Sequence, residues 1–265
     1  MGQRREPSSP RTRALWLLLA VLVLAQIAYP LTAGPARAGL VVATVTAGFA
    51  LSVVHAALTR GARVALGLVA VTAMGGFAVE AVGVATGLPF GSYTYGTALG
   101  PALLGVPLVI PLAWTWMAWP AWIAAAHLTG RRAVRVLIAA AGLAAWDLFL
   151  DPQMVAEGYW AWAAPEPALP GVPDVPVGNY LAWFAVAVLM MTALSALSAG
   201  AGGRARADDG PMLALYLWTY ASSILAHAVF LDLPGSAWWG AIGVGVVAVP
   251  LAVRLLRSRR HPVHA

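Results

Sequence analysis

Residues 39–86 read GLVVATVTAGFALSVVHAALTRGARVALGLVAVTAMGGFAVEAVGVAT. Two apolar runs, one starting near Gly39 and one near Val64, are divided only by a short basic knot carrying Arg60 and Arg63. Each run is long enough to cross a bilayer, which takes roughly 20 residues of helix. The stretch therefore reads as a transmembrane hairpin turned at an arginine-bearing loop. Comparable runs begin near Ala14, Val106, Ala133, Tyr180, Met212 and Ser236, which brings the expected number of helices to eight.

Composition agrees. Of the 265 residues, 61% are hydrophobic and 10% charged, and the mean hydropathy is +0.79, far from the balance of a soluble domain. The 27 glycines and 12 tryptophans suit close helix packing in lipid and aromatic anchoring at the interfaces. Zero cysteines exclude disulfides, cysteine-ligated zinc, iron–sulfur clusters and thiolate nucleophiles.

The net charge of +6 comes from sixteen arginines and no lysine against ten acids. These arginines fall in short clusters between apolar runs, so they set topology and do not point to nucleic acid. With residue 1 in the cytoplasm, all of them sort to that side except Arg37. The expected architecture is an all-α, polytopic membrane bundle of about eight helices with both termini inside. A basic tail over 1–13, one membrane domain over 14–256 and a basic tail over 257–265 complete the organisation, in a cell-membrane protein. The apolar run after the tail is about 18 residues, too long for a typical signal-peptide core, and reads as a retained first helix.

Two long stretches, 86–105 and 152–179, carry no arginine and are rich in Gly, Pro, Tyr and Trp. They read as structured outer caps. The segment GGRARADDG reads as a cytoplasmic loop without a motif.

In this topology Glu80, Asp147 and Asp151 lie in the outer halves or mouths of their helices, with Asn179, His227 and Asp232 at a similar depth. Asp147 and Asp151 are four apart, hence on one helical face. In lipid each costs about 2.5–3.5 kcal/mol on insertion scales, so the pair needs a partner, a metal or a proton. No lysine exists and no arginine reaches that depth, which leaves His227 as the one protein cation within range and makes a protonated carboxyl the natural outcome. A neutral acid in an apolar pocket is what general acid catalysis requires.

Plainer readings stand beside these. Asp151 precedes Pro152 and could end its helix in a turn; Glu80 could serve helix packing; His227 could be a packing residue. His55 and His127 read as interfacial. The tryptophans of residues 114–122, WTWMAWPAW, fit an aromatic belt as well as a polyene-stacking wall. Tyr93 and Tyr95 could hydrogen-bond an acid or anchor the loop.

The stretches VEAVGVATGLPFGSYTYGTALGPALLGVPLVIPLAW (79–114), WDLFLDPQMVAEGYWAW (146–162) and VPVGNYLAWF (175–184) together resemble the membrane carotenoid-biosynthesis hydratases, a family of bisanhydrobacterioruberin hydratases and carotenoid 1,2-hydratases. The likeness spans roughly residues 70 to 185, with Ala182 standing where the family has glycine. It implies cofactor-independent addition of water to the terminal double bond of an acyclic C40 or C50 carotenoid, giving a tertiary alcohol. Glu80, Asp147 and Asp151 then become the candidate catalytic acids and bases, with Glu80 preferred as proton donor and Asp151 next. Tyr93, Tyr95, Trp160, Asn179, Trp183 and His227 become candidate substrate-binding residues, with no metal. The implied partners are a lipophilic carotenoid, the bilayer and other enzymes of the pathway, with no nucleic acid. Two other classes fit parts of the pattern: an intramembrane prenyltransferase or lycopene elongase holding Mg²⁺ on Asp-x3-Asp, and a proton-coupled transporter.

Overall fold

A computed structural model describes residues 10–198 and 204–260. Arg4, Arg5, the first nine residues of the N-terminal tail, part of the glycine-rich loop and residues 261–265 lie outside it. The described residues form eight long helices. The first covers Pro10–Ala28, the second Gly34–Arg60, the third Ala62–Thr86, the fourth Ile110–Leu128, the fifth Arg132–Ala156, the sixth Val177–Leu197, the seventh Ala207–Phe230 and the eighth Pro234–Arg260. This is a multi-pass membrane helix bundle. The first helix starts earlier than its apolar run because Pro10 supplies a pre-set φ for a first helical turn, and the eighth runs past residue 256 into the basic tail.

Seven of the helices are apolar enough to be membrane spans on hydropathy alone. The exception is the fourth, whose four tryptophans and Pro111 and Pro120 depress its hydropathy although most of it is buried. It is the bundle's axis, packed against the second, fifth and seventh helices. Trp114, Trp119 and Trp122 are fully buried. These rings are therefore core and not a lipid-facing belt, which corrects the belt reading.

Three helices are interrupted. The third contains a π-turn at Ala70–Met74 and the seventh another at Ala226–Phe230. The fifth breaks into a turn at Ala145–Trp146 and restarts at Asp147. Each interruption re-aims the residues beyond it. In the third helix, Gly76, Glu80 and Gly83 are its buried residues past the π-turn and share one face.

At one end of the bundle the outer caps are tied together. β1 (Tyr93–Tyr95) pairs antiparallel with β4 (Trp160–Trp162), while β2 (Ala102–Leu103) with β3 (Val106–Pro107) and β5 (Ala168–Leu169) with β6 (Val172–Pro176) form local hairpins. Residues 152–156 and 177–179, expected in the outer cap, are helical. Arg37, the exception to the arginine sorting, is anchored here: its Nη1 meets Glu157 and its Nε donates to the Thr32 carbonyl at 2.6 Å.

The opposite, arginine-rich end is held by Asp209, which is fully buried. Arg60 Nη1 lies 2.6 Å from its Oδ1, and Arg60 Nη2 and His127 Nε2 lie 2.9 and 3.0 Å from its Oδ2. His55 is also fully buried rather than interfacial, accepting from Trp119 Nε1 at 2.9 Å on Nδ1 and facing the Asp208 carbonyl at 3.1 Å through Nε2. The loop read as carrying no motif thus supplies the acid that clamps the arginine-rich end.

Candidate active site

The outer half of the bundle gathers three acids from two helices. Glu80 projects from the third helix and is 4% exposed, while Asp147 and Asp151 project from the restarted fifth helix at 0% and 3%. Pro152 sits inside that helix. Asp151 is therefore a mid-helix, buried side chain, and the helix-ending turn reading is set aside.

Glu80 is surrounded by donors. Its Oε2 accepts from Tyr93 Oη at 2.5 Å and Tyr95 Oη at 2.9 Å, and its Oε1 from Trp114 Nε1 at 3.2 Å. Burial first, and then the neighbouring Glu80 charge, pushes both phenols up, so they stay protonated and donate. The local sequence makes this approach possible. A Cβ on Gly83 would stand 2.8 Å from Tyr93 Oη, and one on Gly76 would stand 2.7 Å from the Trp114 ring. Gly87, with φ +75, ends the third helix in the left-handed region and turns the chain toward β1. Trp114 is fixed by a stack on Trp183, 3.8 Å between centroids and 7° between planes.

The two aspartates are arranged differently. Asn179 Nδ2 spans them, 2.8 Å from Asp147 Oδ2 and 2.5 Å from Asp151 Oδ2, which uses both amide hydrogens. Trp160 Nε1 donates to Asp151 Oδ1 at 3.1 Å. Asn179 thus holds the two carboxyl groups side by side. Two carboxylates in such contact, with no cation beside them, need one proton between them. Asp147 Oδ1 has no partner among the described residues.

Glu80 and Asp151 face one cavity, whose wall also includes Tyr93, Tyr95, Trp160 and Trp183. Asn179 completes the polar part, and Asp147 lies behind Asp151. Aliphatic and aromatic side chains such as Val41, Leu150 and Phe90 make up the rest, and no basic side chain lines it. Its free volume is about 40 Å³, room for more than one water at roughly 10–15 Å³ each. Eight of the nine residues singled out from sequence therefore converge on one place. His227 does not. It is buried against Phe149, 2.9 Å from Ser236 Oγ and 3.0 Å from Gln153 Oε1, a helix-packing position that offers the carboxylates no cation. Trp114 was missed as a site residue. Its signal was there in the four tryptophans of residues 114–122, but nothing in one sequence tells which ring reaches an acid.

The geometry defines a class: a polytopic membrane protein with a mostly apolar, carboxylate-bearing cavity beneath its outer caps. Residues 39–251 match the family model described as carotenoid biosynthesis protein, and the chain belongs to that family. It is also 40% identical over 136 residues to the bisanhydrobacterioruberin hydratase of Haloarcula japonica, a stretch covering 48% of this chain and 44% of that relative. The chain thus matches less than half the length of this curated relative. No solved structure matches it.

Proposed function

We propose that this protein is a carotenoid hydratase of the cell membrane, adding water to the terminal trisubstituted double bond of an acyclic C40 or C50 carotenoid without a cofactor. The single observation carrying the reading is that Asp151, bridged to Asp147 by Asn179, and a separately hydrogen-bonded Glu80 face the same mostly apolar cavity. The relative named a hydratase supports it.

The chemistry follows from the hydrogen bonding. Asp151, the cavity-facing member of the pair, gives its proton to the alkene carbon that bears hydrogen. The π electrons form the new C–H bond and leave a tertiary carbocation. Glu80, already accepting three hydrogen bonds, is held as an acceptor. Its charge and the electron-rich faces of Tyr95 and Trp160 stabilise the cation. A water oxygen adds to the cationic carbon and its extra proton passes to Glu80. Transfer from Glu80 to the aspartate pair through the water in the cavity restores the starting state. This reverses the order expected from depth alone: the proton donor is Asp151, and Glu80 is the base. The alternative diphosphate chemistry finds no support in a cavity without a basic side chain.

The test is expression in bacteria that accumulate an acyclic carotenoid. The expected result is a product heavier by one water, lost in Asp151→Asn and Glu80→Gln variants that still reach the membrane. Full conversion by Asp151→Asn, Asp147→Asn and Glu80→Gln alike would sink the proposal.

A further inference from the structure

Beside the acid cavity lies a second one, of about 110 Å³. Val41, Val45, Leu150 and Met154 line both, so a single layer of side chains separates them. The second cavity differs in kind. Its wall carries Gln153, Ser222 and Ser223, with no ionisable carboxyl or basic group. Three of its lining residues also carry a buried polar atom with no hydrogen-bond partner among the described residues: Tyr29 Oη, Trp116 Nε1 and Thr219 Oγ1. Their side chains are more than nine-tenths buried, at 7%, 6% and 3% exposure. Tyr29 lies close to Gln153, but the geometry leaves its hydroxyl without a proper bond.

An unpartnered buried donor or hydroxyl is costly, about 1–3 kcal/mol each, and such groups are rarely left so. Three around one space with room for several waters point to the occupant that satisfies donors and acceptors alike.

We infer that this second cavity is a water store feeding the hydration step through the Leu150 and Met154 wall. The inference rests on the proposed hydratase chemistry and adds to it the source of the reacting water. The acid cavity is mostly apolar and shrinks further once a polyene end enters it, so its own waters are displaced. The adjoining store keeps a nucleophile within reach of the carbocation. When no water arrives, the cation must lose a proton again, either from the carbon just protonated or from an adjacent methyl group, and an alkene is recovered.

That partition supplies the test. Membranes containing the full-length protein are incubated with an acyclic carotenoid in D2O, and both alcohol formation and deuterium in the recovered alkene are measured. Filling the store with Thr219→Leu plus Ser223→Leu should lower alcohol about tenfold, equivalent to about 1.4 kcal/mol, while deuterium still enters the alkene. The isosteric pair Tyr29→Phe plus Thr219→Val, which removes only hydroxyls, should shift the same ratio in the same direction by a smaller factor. If the filled variant fails to accumulate, the isosteric pair decides. An unchanged ratio of alcohol to deuterated alkene overturns the inference, as does an equal fall in both, which would make these residues supports of the acids. A wild-type protein giving neither alcohol nor exchange would instead defeat the hydratase reading itself.

Discussion

The bundle buries acids at both ends and satisfies them in opposite ways. At the arginine-rich end Asp209 is met by a guanidinium and an imidazole, with Arg206 N–H donating at 2.8 Å. At the outer end the hydrogen-bond partners of Glu80, Asp147 and Asp151 among the described residues are phenols, indoles and one amide. A cation neutralises a carboxylate and fixes it in one state, which is what a clamp between helices needs. Neutral donors orient a carboxyl group and leave the proton count free to change. The difference separates an acid that holds the structure from acids placed to exchange protons.

The comparison breaks most sharply on paired substitutions. Asp151→Asn should keep the bundle folded, because an amide can still accept from Trp160 and fill the same space. Conversion of carotenoid should fall about 10²- to 10⁴-fold, the usual contribution of a general acid. Asp209→Ala should do the reverse. Removing one partner of a buried ion pair costs about 3–5 kcal/mol, so the thermal midpoint in detergent should drop by on the order of 10 °C, while conversion per folded molecule stays near wild type. If Asp151→Asn unfolds the protein and Asp209→Ala abolishes conversion in folded protein, the division of roles is wrong.

Much of this contrast was legible in the sequence at one end only. Arginine clusters and apolar lengths were enough to place eight helices, and Asp-x3-Asp on one face was enough to expect a protonated carboxyl. Asp209 gave no such signal. Its partners His127 and Arg60 lie 82 and 149 residues away, and a polar residue in a polar loop looks solvated until the fold buries it. The same holds for the pairing of β1 with β4, which joins two caps separated by the whole fourth and fifth helices. Local pattern reports period and depth. It does not report which loops meet. The π-turn at Ala70–Met74 and the break at Ala145–Trp146 were invisible for a related reason, since both lie inside runs whose composition suits an unbroken helix.

A finer test lies within the outer cluster. Tyr93→Phe removes the short donor to Glu80 while keeping the ring against Phe90 and Trp162. Hydrogen bonds to charged groups contribute about 1.5–3 kcal/mol, so if the cation-facing charge of Glu80 depends on its donors, conversion should fall roughly 10- to 100-fold with little change in melting. Gly83→Ala should act through the same bond, because the new Cβ occupies the space the Tyr93 hydroxyl needs. Its effect should therefore not add to that of Tyr93→Phe, and the double variant, assayed beside the two singles, should convert no more slowly than the worse of them. Independent, multiplying losses would mean that Gly83 serves helix packing and that the Tyr93 hydroxyl works on something other than Glu80.

The smallest effect belongs to the pair that most resembles the inner clamp without sharing its setting. Arg37 and Glu157 form an ion pair whose side chains remain 15% and 21% exposed, near the outer surface. Water and salt still reach such a partly buried pair and screen it more than the fully enclosed Asp209 cluster, so it contributes less. Arg37→Gln should accordingly move the melting midpoint far less than Asp209→Ala, and the small shift should shrink further as salt is raised. A drop as large as that of Asp209→Ala, insensitive to salt, would show that the outer cap is clamped by charge as the inner end is. The contrast between the two ends would then reduce to the catalytic acids alone.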